Sequence, residues 1–383
     1  MKFTDSKKIV VYPFSRDSLP LVRYLNKLNP SYNVTEIVSP KGWGFTGKDA
    51  GMIHLTPEIG ILITNDIKQA LEKSDTLFIV DSKKIDSVYE SIIKSIEIAF
   101  DMGKDVICAV SLLEDDLESI QNSWKEFNVK FIYFPNAKYS SGNNKRLYHS
   151  SSRGLYNTKA PIIFISEMHE GLDGLEVLYA ATYYFRKNGY KTTSLSEKNY
   201  SELLDIYTLP DFIQNLNVPD IDKIYQFNDF IKDIEEKEKP DIIFLQLPGG
   251  IMKYNDKITN NFGIIPYLIS QAVQGDYIIL CTPYAFFNDE YYKKLNDVFS
   301  YRYGVGLESF HMSNTIVDEN SLLEKGEFSV FHIKQEEVDH QIQKIDNEIP
   351  VFNCINSIDS ENMFHHLIET LTLHELNPIG GMN

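Results

Sequence analysis

Glycines and charges able to work on a ligand are densest at residues 39–51, SPKGWGFTGKDAG, where four glycines fall within thirteen residues. Glycine lets the backbone turn tightly and brings main-chain N–H groups close to a bound anion. Lys41 and Lys48 add positive charge for a phosphate or carboxylate, and Asp49 can orient a ligand donor or a metal-bound water. Trp43 and Phe45 offer rings for stacking or for anchoring the loop. The stretch approaches both of the common phosphate motifs. Gly42 to Gly47, GWGFTG, has the GxGxxG spacing, and Gly42 stands five residues before Gly47-Lys48, but Asp49 takes the place of the Ser/Thr that completes a P-loop.

A second concentration is Glu167, His169, Glu170 and Asp173, in the segment EMHEGLDG that follows an apolar run. Carboxylates and an imidazole this close can share a proton or a metal. The spacing is not HExxH or another zinc pattern, and capping by Asp173 competes with any chemistry. A third is Pro248-Gly249-Gly250, expected to stop a strand sharply and leave a ligand edge, with Lys253, Tyr254 and Asn255 in the loop beyond. Gly47, Lys48, Asp49, Asp173, Gly249 and Gly250 are therefore the candidate ligand-binding residues. The glycines would give backbone access, Lys48 anion pairing and Asp49 polar orientation.

Other reactive side chains carry weaker signals. Cys108, Cys281 and Cys354 lie far apart, in or beside apolar runs, as buried structural thiols do. His365 and His366 fall on different sides of a helix, and His374 completes no zinc signature. Asp81-Ser82 reads as a ligand carboxylate or a helix cap. Asn288, Arg302 and His311 are possible pocket residues, while Phe286, Phe287 and Tyr301 read as packing anchors. No catalytic residue, metal site or cofactor is assigned by these patterns.

The elements that must position these groups alternate. Apolar strands are predicted at residues 8–14, 32–38, 75–81, 105–110 and 130–135, with helices at 17–28, 83–101 and 114–127. A fresh series begins at 161–166, with strands at 191–195, 241–250 and 276–284, helices after residue 173 and at 262–273 and 289–301, and a final helix at 358–373. Shorter extended segments are expected at 307–313, 328–333 and 350–354. Repeated strand–helix alternation with apolar strands predicts parallel sheets covered on both faces. The fold class is α/β, two Rossmann-like three-layer units with mostly parallel sheets. The second resembles a degenerate P-loop-type domain, lacking the Lys-Ser/Thr pair at residues 174–175.

The polar stretch 136–160, rich in Ser, Asn, Gly and positive charge, marks the boundary. The expected division is an N-terminal domain over 1–140, a linker over 141–160 and a C-terminal domain over 161–383. Lys145, Arg146 and Arg153 in that stretch suggest an anion-binding flap or simple solvated charge.

At 383 residues, 43% of them hydrophobic, the chain can bury two cores. A formal charge of −17 opposes non-specific attraction to nucleic acid and anionic membranes. No apolar run reaches bilayer-spanning length, and the N-terminus does not read as a secretory signal, so the expected location is cytoplasmic.

Four stretches, VSPKGWGFTGKDAG, YFRKNGYKTTSL, PDIIFLQLPGGIMKYNDKITNNFG and FHMSNTIVD, resemble a clostridial peptide-maturation-system protein family associated with radical-SAM modification of ribosomally made peptides. The resemblance covers most of the chain. It implies an accessory or recognition protein that contacts a precursor peptide, a radical-SAM maturase or a small ligand. The chain carries no CxxxCxxC and is not itself read as the radical enzyme. The competing expectation is an enzyme using a nucleotide or other phosphorylated ligand, with Lys48 pairing the anion and Asp49 or Asp173 placing a cation or proton.

Overall fold

A computed structural model describes residues 6–82, 84–124, 127, 129–134, 154–285, 289–318, 321, 329–346 and 348–376. It contains two compact units, residues 1–138 with 198–208, and 139–197 with 209–383. Residues 198–208 group with the first unit although they follow strands of the second. Lys145, Arg146, Arg153, Phe286, Phe287 and Asn288 lie outside the described residues, as does the side chain of His374.

The first unit runs β1 (Lys7–Tyr12), α1 (Leu19–Leu28), β2 (Tyr32–Val38), β3 (Ile63–Thr64), α2 (Ile67–Glu72), β4 (Thr76–Ile79), α3 (Tyr89–Asp101), β5 (Asp105–Cys108), α4 (Glu114–Trp124) and β6 (Phe131–Tyr133). Its strands are parallel, in the order β3-β2-β1-β4-β5-β6. This is the doubly wound order that starts in the middle and grows outward both ways. Helix α1 forms because Leu21, Leu25 and Leu28 recur at helical spacing on one buried face, with Pro20 in the first turn where its missing N–H costs nothing. Burial of Leu77, Ile79, Val106 and Cys108 against Ile92, Ile96 and Phe100 of α3 supplies one side of the core. Strand β3 and helix α2 were not predicted. A two-residue strand and a six-residue helix are too short to show a period.

The second unit contains β7 (Ile162–Glu167), α5 (Gly174–Lys187), β8 (Thr192–Ser196), α6 (Asp220–Glu238), β10 (Ile242–Gly250), α7 (Ile264–Ala272), β11 (Tyr277–Thr282), α8 (Asp289–Tyr303), β12 (Leu307–Met312), β13 (Thr315–Val317), β14 (Val330–His332), α9 (Gln335–Ile342), β15 (Val351–Phe352) and α10 (Ser357–Leu376). Strand β9 (Tyr207–Thr208) belongs to the segment grouped with the first unit. The order β15-β12-β11-β7-β10-β8 is again parallel throughout, and β13 and β14 form a separate antiparallel pair. All residues of β7 and of β11 are buried, as expected of strands covered on both faces. Helix α5 packs on β7, β8 and β10, and α7 on β10. The chain reverses direction along the sheet between these crossovers, so right-handed connections put the two helices on opposite faces.

The α/β class, with two mostly parallel sheets flanked by helices, is thus the architecture of the molecule. In both sheets the middle strand, β1 or β7, sits where neighbouring connections diverge. The crevice at the carboxyl end of such a strand is where open α/β sheets place ligands.

Candidate functional site

The carboxyl edge of the first sheet is built from the turn after β1, the loop after β2 and the turn after β4. The Phe14 N–H donates to Val38 O at 2.8 Å, which brings the exits of β1 and β2 side by side. Ser15 and Ser39, one in each exit, are buried, at 9% and 1% exposure. Neither hydroxyl has a hydrogen-bond partner, and neither does the buried Nε of Arg16. Buried polar atoms are normally satisfied, and leaving one without a partner costs about 1–3 kcal/mol. Three such atoms lie together at this strand-end crevice.

Two ring contacts tie the glycine-rich loop to its neighbours. The Arg16 guanidinium carbon lies 6.0 Å from the Phe45 ring centre, and Lys84 Nζ lies 5.9 Å from that of Trp43. Trp43 also packs against the core, so it anchors the loop. Burial lowers the Arg16 pKa, while Asp17 opposes that shift. A partly desolvated guanidinium gains from an anionic ligand. Asp81, after β4, pairs with Lys198 at 3.6 Å.

Gly47, Lys48 and Asp49 divide in role. Gly47 adopts φ +81 and donates its N–H to Ile63 O at 2.8 Å, a turn conformation that a side chain would strain. Lys48 is exposed on the same loop. Asp49 is buried, and its carboxylate accepts from the amides of Gly51 at 2.8 Å, Ile59 at 2.9 Å and Gly60 at 2.8 Å. The role expected for Asp49, orienting a ligand donor, gives way to holding residues 49–60 together, because three internal amides already use its oxygens.

In the second unit, the turn between β7 and α5 is closed by Glu167. Oε1 accepts from the N–H groups of Leu172 and Gly174, both at 2.8 Å, and Oε2 accepts from Gly171 at 3.3 Å. A Cβ on Gly174 would stand 2.9 Å from Glu167 Cγ, so only glycine admits the carboxyl this close. The amides that could cradle a phosphate at this helix start thus face a carboxyl group from the chain itself. Burial raises the Glu167 pKa to about 8. The amides of Gly174 and Gly171 pull the other way, and Glu197 and Asp173 reinforce the rise. Desolvation outweighs the hydrogen bonds here because the side chain is almost entirely removed from water.

Asp173 occupies the N-cap position of α5 in the left-handed region, φ 71, but its side chain makes no capping bond. Its role as a cap is therefore corrected. Asp173 Oδ2 accepts from Ser313 Oγ at 2.6 Å and lies 3.4 Å from His311 Nε2. The Cys354 N–H donates to His311 Nδ1 at 3.1 Å, so in the neutral ring the proton sits on Nε2, facing Asp173. Ser313 donates to the carboxylate and not to the imidazole, which is not the arrangement of an activated nucleophile. His169 Nδ1 lies 3.2 Å from Glu170 O, and its ring meets Tyr254 edge-on at 5.8 Å. Among the described residues no group of three His, Cys, Asp or Glu could hold a metal ion.

The strand β10 runs through Pro248, within the bounds expected for it. It continues to Gly250, which pairs with Glu167 after a register shift. Gly249 takes φ 69. A Cβ on Gly250 would come within 2.4 Å of Asn260 Cγ. Asn260 Nδ2 donates to Met168 O at 3.0 Å and Met252 O at 2.8 Å. Gly250 therefore makes room for a protein side chain that ties the exits of β7 and β10. Arg302 donates to Phe262 O at 2.6 Å. His365 Nε2 lies 3.3 Å from Tyr184 Oη, and His366 Nε2 lies 3.2 Å from Glu308 O. The three cysteines are free and buried. Burial raises the thiol of Cys108 to about 12 and those of Cys281 and Cys354 well above the ordinary value.

Sequence reasoning missed Ser15, Arg16, Glu167 as occupant of the turn, and Ser313. Only Arg16 carried an earlier signal: a basic side chain in the first β–α turn, the position that contacts ligands in Rossmann sheets.

No family model and no curated protein matches the chain. Among solved structures, a DUF1611 family protein from Anabaena variabilis superposes with a TM-score of 0.58 at 10% identity, covering 95% of this chain and 99% of that one. S. aureus homoserine dehydrogenase aligns over 33% of this chain and 32% of its own, at 14% identity and a TM-score of 0.26. Amine dehydrogenase from Mycobacterium smegmatis aligns over 35% and 40%, at 14% identity and 0.25. At such identity the first likeness establishes a shared fold, and the other two are too partial to support an argument.

Proposed function

We propose that the protein uses a nucleotide or another small phosphorylated ligand, held at the carboxyl edge of the first sheet by Arg16, Ser15 and Ser39. The observation that carries this reading is the set of three buried polar atoms without protein partners at the switch point of a doubly wound sheet. The turn after β1, Pro13-Phe14-Ser15-Arg16, has no glycine to admit a pyrophosphate against the backbone. Recognition by the guanidinium and hydroxyls suits a single phosphoryl group better than a dinucleotide. Lys48 and Lys41 add positive charge to the loop after β2 without being required for its closure.

The test is calorimetric titration with ATP, GTP, NAD(H), S-adenosylmethionine and inorganic phosphate, with and without Mg²⁺. A saturable heat for a phosphorylated probe, weakened at least about tenfold by Arg16→Ala, is expected from the loss of a charge-assisted contact. Silence from folded protein, or equal affinity in the variant, rejects this site.

The four sequence stretches support a biological context for such a protein, namely partnership with a precursor peptide or a radical-SAM maturase. Co-purification with either, at several salt concentrations, tests that context separately.

A further inference from the structure

The second unit holds a cavity of about 450 Å³, inside the range of small-molecule sites. It opens at the carboxyl ends of β7 and β11, whose connections leave in opposite directions. Four aromatic rings line it: Tyr254 from the loop after β10, Tyr284 after β11, Tyr291 on α8 and Phe331 on β14. Met168 and Asp318 are also in its wall, and no lysine, arginine or histidine lines it among the described residues.

The wall is held in place by internal contacts. The Tyr284 N–H donates to Thr315 O at 2.7 Å, and the Tyr291 hydroxyl reaches Met168 Sδ at 3.9 Å. Asp318 accepts from Ser321 N at 3.2 Å and from Ser329 Oγ at 3.1 Å, while its own N–H donates to Ser329 O at 2.9 Å. Burial raises the Tyr284 hydroxyl pKa, and negative charge on Glu337 adds to the rise. The cavity wall therefore combines four aromatic side chains with the carboxylate of Asp318.

Such a lining disfavours an anion, which would face aromatic side chains and the negative charge of Asp318. It favours an organic cation, because ammonium groups are drawn to aromatic faces and to a carboxylate at the rim. We infer that this cavity binds a small organic cation, a primary or methylated ammonium group on a short apolar stem. The site is separate from the anion site proposed in the first unit and selects the opposite charge. Each can therefore fail without the other.

Titration of the full chain with choline and with its uncharged isostere 3,3-dimethylbutan-1-ol tests the inference, with butyrate as the anionic probe. Choline is expected to bind saturably and at least about fivefold more tightly than the isostere, with butyrate silent. Phe331 is 60% exposed, so Phe331→Ala removes one ring at little cost to the fold. That variant is expected to weaken choline about threefold or more, and Phe331→Trp to retain or strengthen it. Equal affinity for choline and the isostere, no saturable binding of choline, or an affinity unmoved by Phe331→Ala overturns the assignment.

Discussion

After β7, the amides of Gly171, Leu172 and Gly174 converge on a carboxyl group of the strand itself, whereas after β1 the Ser15 hydroxyl and Arg16 Nε find no hydrogen-bond partner in the protein. The two turns occupy equivalent places, each leaving the middle strand of a parallel sheet where connections diverge. One has become part of the core, with Glu167 buried at 7% exposure and Gly174 kept free of a side chain to receive it. The other retains unsatisfied polar atoms, which cost stability unless a ligand satisfies them. A shared topology thus fixes where a site can be. Local side chains decide whether the chain or a ligand fills it.

The strongest way to break this comparison is Glu167→Ala. It strands the buried amides of Leu172 and Gly174 and leaves a void, so we expect a loss of about 3–5 kcal/mol in urea unfolding. A loss below about 1 kcal/mol would show that the turn does not depend on its carboxyl group.

Acidity sharpens the same contrast. A carboxyl with a folded pKa of about 8 against 4.5 when unfolded holds its proton more tightly in the native state. Its contribution is complete below pH about 4.5 and is lost as pH rises towards about 8, at no more than about 1.4 kcal/mol per pH unit. Glu167→Gln keeps an oxygen for Leu172 and Gly174 and cannot ionise. The difference in unfolding free energy between variant and parent should grow in the variant's favour across that window. A constant difference from pH 5 to pH 8 rejects the raised pKa.

In the first unit, Asp49→Ala is expected to cost about 1–3 kcal/mol, since the amides of Gly51, Ile59 and Gly60 lose their acceptor. Proteolysis confined to residues 49–60 would report the opened loop, and unchanged protection would contradict the clamp. Arg16→Ala should do the reverse of Glu167→Ala, changing unfolding free energy by less than about 1 kcal/mol while weakening the phosphorylated ligand. The smallest effect belongs to Lys48→Ala. For an exposed charge at the loop rim, about threefold or less in affinity is expected, diminishing with added salt.

Much of the scaffold was legible because its signals are local. The run KIVVY, the helical spacing of Leu21, Leu25 and Leu28, and the apolar strands DIIFLQL and DYIILC announce themselves within a few residues. The short β3 and α2 and the hairpin of β13 and β14 did not. Their pairing depends on partners supplied by distant strands. Among the candidate residues, glycine content correctly drew the eye to tight turns at Gly47 and Gly249. It could not tell a turn that admits a ligand from one that admits Asn260, as Gly250 does.

The sequence by itself determined two α/β units, apolar strands buried on both faces, dispersed thiols and the turns where strands end, because periodicity and turn chemistry act over neighbouring residues. Only the tertiary structure decided that Glu167 fills its own turn, that Asp173 meets Ser313 from 140 residues away, and that Ser15, Arg16 and Ser39 are left with unsatisfied atoms. Satisfaction of a buried polar group depends on every atom around it, and those atoms are brought together by strand order rather than by position along the chain.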